Sequence, residues 1–357
     1  MTPSRSCSDL RAIPCVWMRG GTSKAAFFHA ADLPADPAER DRVLLLAMGG
    51  EDHRQIDGIG GGTPLTTKLA IISPGSVEGV DVDYLFGQVV AGENRIDYAP
   101  TCGNILAAVG PFALDAGLLP SLPGMTPVRI RMLNTGGLCT ASVPSSNAGA
   151  VYHGTQRISG VPGTAAPLAL HFTGIAGSSC GALYPTGAVR DVIEGVEVSC
   201  VDNGMPVVVL RAADLGIRGD ESPAELDANL AFRQRLEAIR LAAGPRMGLG
   251  DVQRKVVPKM TLVSAPRDGG AIHTRTFIPH RCHDAIGVLG AASVATVCAQ
   301  PGSVCDGLAA PAADGALSVE HPTGEFTIQL TPGDDGVPAV ALLRTARALF
   351  RGEVLIP

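Results

Sequence analysis

Twice in this 357-residue chain a short polar signature runs straight into a stretch with almost no polar face. The first signature is Thr101-Cys102-Gly103-Asn104, ahead of residues 105–114; the second is Pro279-His280-Arg281-Cys282-His283, ahead of residues 285–299. Nothing between 285 and 299 is charged. A helix that is apolar all round must be buried, in a protein core or in a membrane. These stretches fall short of the ~20 apolar residues a membrane span needs. Both therefore read as core helices whose N-termini carry the chemistry. Cys102 and Cys282 stand half a chain apart, which is the trace of two lobes with one buried helix each.

The length fits two domains, and with 46% hydrophobic and 17% charged residues two ordinary cores can be filled. The 44 glycines and 27 prolines favour short strands and turns over a helical bundle. A net charge of −6 argues against nucleic acid as a partner. If the ligand is an anion, helix N-termini and a few Arg or Lys must hold it. Nine cysteines, an odd number with no CxxC pair, point to reduced thiols and a cytoplasmic location. The first residues lack the apolar core of a secretion signal, and no stretch supports a membrane helix, so no membrane partner is expected.

Along the chain, residues 37–48 read as a surface helix, and 69–72 and 81–90 as strands. Residues 128–132 and 138–143 form a strand pair around the turn Asn134-Thr135-Gly136-Gly137. A second unit starts near Gly187, with strands 196–201 and 207–210 around Asp202-Asn203-Gly204. Residues 222–243 have helical spacing, and 259–264 and 274–279 read as strands. Short strands around one buried helix, twice over, give an α+β class. The expected lobes are 1–187 with 343–357, and 188–342.

Gly58-Ile59-Gly60-Gly61-Gly62-Thr63 lacks the third glycine of a dinucleotide fingerprint, and Gly20-Gly21-Thr22-Ser23-Lys24 has P-loop letters in the wrong order. Each reads equally well as simple turn chemistry or as a loop whose backbone N–H groups approach an anion. Cys102 just ahead of a helix is either an inert core thiol or a group activated by the helix dipole. Gly103 and Asn104 would offer N–H groups to a carboxylate there. Lys68, at the mouth of the apolar run 69–72, is either a snorkelling surface lysine or a partly desolvated base. His280, Cys282 and His283 lack zinc-site spacing, so no metal is expected; His280 and Arg281 read better as anion-binding groups. Cys180, among small residues, is as much a turn cysteine as a site residue.

The set Trp17-Met18-Arg19-Gly20-Gly21-Thr22-Ser23-Lys24, Gln55-Ile56-Asp57-Gly58-Ile59-Gly60-Gly61 and Cys102-Gly103-Asn104 resembles the PrpF family from about Ile13 onward. That resemblance implies a diaminopimelate epimerase-like fold: two similar lobes, each a curved mixed β-sheet wrapped around a central helix. It implies cofactor-free isomerisation of unsaturated polycarboxylic acids, with Lys68 and Cys102 as the acid–base pair. Asp83-Tyr84-Leu85-Phe86, Asp202-Asn203-Gly204-Met205-Pro206, Leu249-Gly250-Asp251-Val252 and Phe277-Ile278-Pro279-His280-Arg281 are similar to the branch acting on 4-oxalomesaconate in bacterial aromatic breakdown. Aconitate- or methylitaconate-type isomerisation and a non-catalytic carboxylate-binding role are the alternatives. Thr63-Pro64, Thr101 and Gly248 depart from the branch pattern and bear on substrate choice.

The expected partner is a small di- or tricarboxylate, with a second copy of the chain as the candidate protein partner. The helix N-termini are expected to present two positive dipole ends to it. Arg19, Ser23, Thr66, Lys259, His280 and Arg281 are the expected anion-site side chains. The backbone N–H groups of Gly61, Gly62, Gly103 and Asn104 join them.

Overall fold

The computed structural model describes residues 9–98, 102–278, 280–310, 316–331 and 339–357. The chain divides into two compact units, Met1–Leu170 with Arg344–Pro357, and His171–Leu343.

The first unit opens with the hairpin β1 (Arg11–Gly20) and β2 (Ser23–His29), followed by α1 (Pro37–Met48). Asp36 caps α1 by accepting from the Glu39 N–H at 2.9 Å, Pro37 supplies a pre-set first residue, and Gly49 closes the helix at φ +69°. Next come β3 (Lys68–Pro74), β4 (Val82–Val90), β5 (Arg95–Asp97) and the central helix α2 (Gly103–Asp115). After it lie β6 (Gly124–Met132), β7 (Leu138–Ser146) and the short β8 (Gly149–Ala150). β3 joins β2 in parallel, β4 returns antiparallel, and β6 joins β4 in parallel before turning back into β7.

Both faces of this sheet are covered, and the alternation along the strands shows how. Ala26, Phe28, Leu69 and Ile71 face α1, packing on Val43, Leu44, Ala47 and Met48. Their neighbours Ala25, Phe27, Ala70 and Ile72 point the other way, where Phe27 meets Phe112 of α2 at 5.5 Å. Every residue of α2 from Ile105 to Leu114 is buried. Each large apolar side chain among them contributes roughly 1.5–3 kcal/mol.

β9 (Leu168–Thr173) carries the division between the units. The second unit then runs through β10 (Asp191–Ile193), β11 (Val196–Asp202), β12 (Pro206–Arg211), α3 (Pro223–Ala228), α4 (Leu230–Arg246), β13 (Lys259–Ser264), β14 (Ile272–Phe277) and the central helix α5 (Val288–Ala299). It ends with β15 (Ala316–His321), β16 (Gly324–Thr331) and β17 (Ala339–Arg344). The pairing sequence of the first unit recurs. An antiparallel pair β11/β12 is joined in parallel by β13, β14 returns antiparallel, and β15 joins β14 in parallel before turning into β16. α4 covers one face through Leu236, Ile239 and Ala243, with its C-cap Met247, and α5 packs on β11, β12, β15 and β16. The last strand, β18 (Ala346–Ile356), pairs antiparallel with β1 and so belongs to the first unit.

The division falls at Leu170, earlier than the sequence boundary near Gly187. Residues 177–190 are tied to β11. The Gly177 N–H donates to the Asp202 carbonyl at 2.7 Å, the Asp202 N–H to the Leu183 carbonyl at 2.8 Å, and Arg190 donates to Glu197 at 3.1 Å. A second difference concerns α5. It begins at Val288, capped by Gly287, not directly after Cys282. The intervening segment folds back on β14 instead. The Ile278 N–H donates to the Arg281 carbonyl, Phe277 and Cys282 form an isolated bridge, and the His283 N–H donates to the Thr276 carbonyl. The Cys282 N–H is taken by Asp227 at 2.8 Å.

Candidate active site

In the first unit the turn of the β1/β2 hairpin and the first turn of α2 are built against each other. A Cβ on Gly20 would stand 2.3 Å from the Asn104 carbonyl oxygen, and one on Gly21 2.2 Å from Asn104 Oδ1. Gly21 also has φ +50°, which side chains rarely adopt. Only glycines let the helix start sit here. Asn104 Nδ2 donates to Thr22 Oγ1 at 3.1 Å, while Asn104 Oδ1 and Ser23 Oγ are buried with no partner among the described residues. Buried polar atoms are rarely left so. Cys102 is the N-cap, in extended conformation, and its thiol does not cap the helix. Its neighbour Thr101 lies outside the described residues. Gly103 and Asn104 are the first two residues of α2, whose N–H groups lack intrahelical partners.

Lys68 begins β3, opposite Ala25 near the start of β2, on the sheet face that carries α2. It therefore lies at the same end of the sheet as the hairpin turn and the Asn104 contact. Its side chain is buried, 8% exposed. Nζ donates to Gln88 Oε1 at 2.7 Å and stands 5.2 Å from the centre of the Phe86 ring. Tyr84, Phe86 and Gln88 share one face of β4. Asn134 pins that strand by accepting from the Phe86 N–H and donating to the Phe86 and Tyr98 carbonyls. The Tyr84 hydroxyl is buried with no partner among the described residues. Burial, and after it the charge of Cys102, push its phenol well above the ordinary range.

The loop Gln55–Gly62 is self-contained. The Gly61 N–H donates to the Thr66 carbonyl at 3.2 Å and the Gly62 N–H to Gln55 Oε1 at 2.8 Å. Gln55 is buried, and a Cβ on Gly60 would stand 2.2 Å from its side chain. These glycines close the loop around a glutamine, which corrects the expectation that Gly61 and Gly62 offer free N–H groups. Thr66 Oγ1 shares a hydrogen bond with Thr63 Oγ1. Arg19 is in part a brace: Nη1 donates to the Gly21 and Thr345 carbonyls and to Thr345 Oγ1 at 2.8–3.0 Å.

In the second unit Lys259 begins β13 opposite Val207, the same topological place that Lys68 holds on β3. Burial, and after it the charge of Arg240, bring its ammonium down to about 8. Buried Arg240 donates to Glu237 and to the Val252, Lys255 and Val257 carbonyls, which shapes the segment leading into Lys259. The structure does not bring His280 and Arg281 to a helix start, because α5 begins further on. His280 is exposed, with Nδ1 3.6 Å from Glu237, and Arg281 is exposed. Pro279 lies outside the described residues. Burial pushes the Cys282 thiol up to about 12, against thiolate chemistry. Cys180 is likewise raised to about 12 by burial and then by Asp202, whose Oδ2 accepts from the Ser179 and Cys180 N–H groups. Cys180 therefore sits in a turn pinned by Asp202.

Gln88, Thr67, Tyr84 and Phe86 around the lysine were not singled out from the sequence as site residues. The alternation in residues 82–90 puts Gln88 on the face of Tyr84 and Phe86 and could have pointed to it; nothing comparable marked Thr67.

Known proteins match along nearly the whole chain. The model of the PrpF protein family matches residues 10–357. The chain is 56% identical over 346 residues to the 4-oxalomesaconate tautomerase of Pseudomonas putida, covering 96% of each. It is 52% identical over 351 residues to the (4E)-oxalomesaconate Delta-isomerase of a Novosphingobium species, covering 98% of each. Among solved structures, methylitaconate-delta-isomerase superposes with a TM-score of 0.89 at 34% identity, covering 98% of this chain and 96% of that one. The fold is the diaminopimelate epimerase-like α+β fold expected from the sequence. With its two repeated strand–helix units, its glycine-seated helix start and matches of this extent, the chain belongs to the PrpF family of isomerases.

Proposed function

We propose that this protein is a cofactor-independent isomerase that moves a proton within 4-oxalomesaconate, in bacterial breakdown of gallate- or protocatechuate-type aromatics. A base removes an acidic C–H proton next to a carbonyl or alkene. The electron pair moves into an enolate or dienolate, and the proton returns at another atom, so substrate and product are isomers and no co-reactant is consumed. Lys68 is the base or shuttle. Cys102 is the second acid–base group or the donor that orients it. The first N–H groups of α2, Ser23 and Arg19 are the first unit's candidates for holding carboxylates. A cytoplasmic location belongs to the same reading and rests on the odd, unpatterned set of cysteines.

The observation that carries this reading is the environment of Lys68. It is a buried amine, bonded to a neutral amide and not to a carboxylate, at the sheet end where α2 begins. The identity to the two oxalomesaconate enzymes supports the choice of substrate. The test is a panel of 4-oxalomesaconate, cis-aconitate, 2-methylaconitate and 3-methylitaconate offered to the purified protein. We expect kcat/KM for 4-oxalomesaconate to exceed the others by at least about tenfold, as a differently built side arm commonly allows. A preference for a methylated substrate would move the assignment to that branch. Binding without turnover of any of the four would favour the accessory role.

A further inference from the structure

Resting on the reading of Lys68 as the base, we infer that Gln88 is its positioning residue: a neutral amide placed to aim the amine and to keep a carboxylate away from it. The register puts three side chains in a row across three strands. Lys68 stands opposite Gln88, and Gln88 opposite Asp97 on β5. Directly paired residues share a face of the sheet. Asp97 is thus two strands from Lys68, about 10 Å by strand spacing, with Gln88 between them.

The hydrogen bonds fix which end of the amide faces the lysine. Thr67 Oγ1 lies 3.1 Å from the Val89 carbonyl, which can only accept, so the hydroxyl donates there. It must then accept from Gln88 Nε2, 2.6 Å away, and Nε2 also donates to the Thr67 carbonyl at 3.1 Å. That leaves Oε1 toward Nζ at 2.7 Å. An amide oxygen accepts from a charged or a neutral amine alike, so the lysine can lose and regain its proton without breaking an ion pair. A carboxylate at the same place would stabilise the ammonium form and oppose that cycle.

The other titratable groups on elements packed around Lys68 are few. They are Lys24 and His29 on β2, Asp32 on the 3-10 turn that follows it, Asp83 and Tyr84 on β4, Arg95 and Asp97 on β5, and Cys102 and Asp115 at the ends of α2. Lys24 is exposed. Asp83 is paired with Arg131 at 2.9 Å, Arg95 with Glu93 at 2.7 Å, and Asp115 accepts from Tyr152 at 2.7 Å. Among the described residues none forms an ion pair with Lys68.

The experiment compares pH–rate profiles of wild type, Gln88→Glu, Gln88→Met, Gln88→Asn and Lys68→Met on 4-oxalomesaconate. A base must lose its proton to work, so activity should rise with pH. Gln88→Glu, almost the same shape, should move that rise upward by about one pH unit or more, the size of a close opposite charge's effect. Gln88→Met should lower kcat ~10- to 100-fold, within what one positioned acid–base group supplies, with KM changed less than about threefold. Gln88→Asn should recover part of that kcat. An unshifted profile in Gln88→Glu, beside an inactive Lys68→Met, overturns this inference alone. Near-normal turnover in Lys68→Met overturns the reading of Lys68, and this inference with it.

Discussion

A lysine that neutralises a carboxylate and a lysine that moves a proton need different neighbours. Lys68 has those of the second kind: an amide oxygen, an aromatic face and a buried stem. The sequence showed the residue and its place at the mouth of an apolar strand. It could not show Gln88, because cross-strand register depends on turn geometry far from the lysine. The glycines of the two motifs were legible as places of close approach, but the group that approaches was misread at Gly61 and Gly62. There the partners are the chain's own Thr66 and Gln55. At Gly21 the approach is to Asn104. Gly21→Ala combines a positive φ with a 2.2 Å clash, so it should destabilise the protein by roughly 1–3 kcal/mol and displace the helix start. Denaturant unfolding and kcat measured together would check this. Unchanged stability with normal kcat would show that the hairpin does not seat the helix.

At the scale of elements, both central helices were legible because nothing but burial can accommodate so continuous an apolar run. α2 was found to within two residues of the expected start, since Cys102 is its N-cap. The start of α5 was misplaced because residues 278–287 have a polar signature but use their backbone groups on β14 and Asp227. Hydrogen-bond partners outside the segment decide that, and no local pattern reports them. The buried face of α2 carries a quantitative expectation. Leu106→Ala, at a site with no exposed surface, should lower unfolding free energy by ~2–5 kcal/mol. Leu122→Ala, at a residue 49% exposed, should stay within about 0.5 kcal/mol of wild type. Equal effects at the two sites would contradict the buried placement of α2.

At the scale of the whole molecule, acid stability should be governed by a buried cluster in the second unit that is remote from Lys68 in sequence. His273 Nδ1 lies 2.9 Å from Glu320 Oε2, and Arg275 Nη1 donates to His273 Nε2 at 2.7 Å. The ring must therefore be neutral, with its proton on Nδ1. Burial lowers the His273 titration below 6.5, and the nearby Arg275 charge adds to this against the pull of Glu320. Burial raises Glu320, but the N–H groups of Arg267, Gly270 and Asp268, and His273 after them, outweigh it and hold the carboxyl below 4.5. Each group binds its proton more readily when unfolded. The stability from His273 is present above pH 6.5 and is lost as pH falls below it; that from Glu320 is lost below about 4.5. The thermal midpoint should drop between pH 7 and pH 5, and His273→Gln should flatten that slope. An equally steep slope in the variant would place the acid sensitivity elsewhere.

The central claim, a proton moved by Lys68 within the substrate, is tested most directly by turnover in heavy water. Wild type should exchange one carbon-bound proton of 4-oxalomesaconate for deuterium, read by proton magnetic resonance. Lys68→Met keeps the stem and removes the amine, so exchange and turnover should both fall by ~10²–10⁴-fold, while a carboxylate analogue still binds. Cys102→Ala, run beside it, should fall as far if the thiol carries the second proton and less if it only orients. Deuterium incorporation at a near wild-type rate in Lys68→Met would contradict the account.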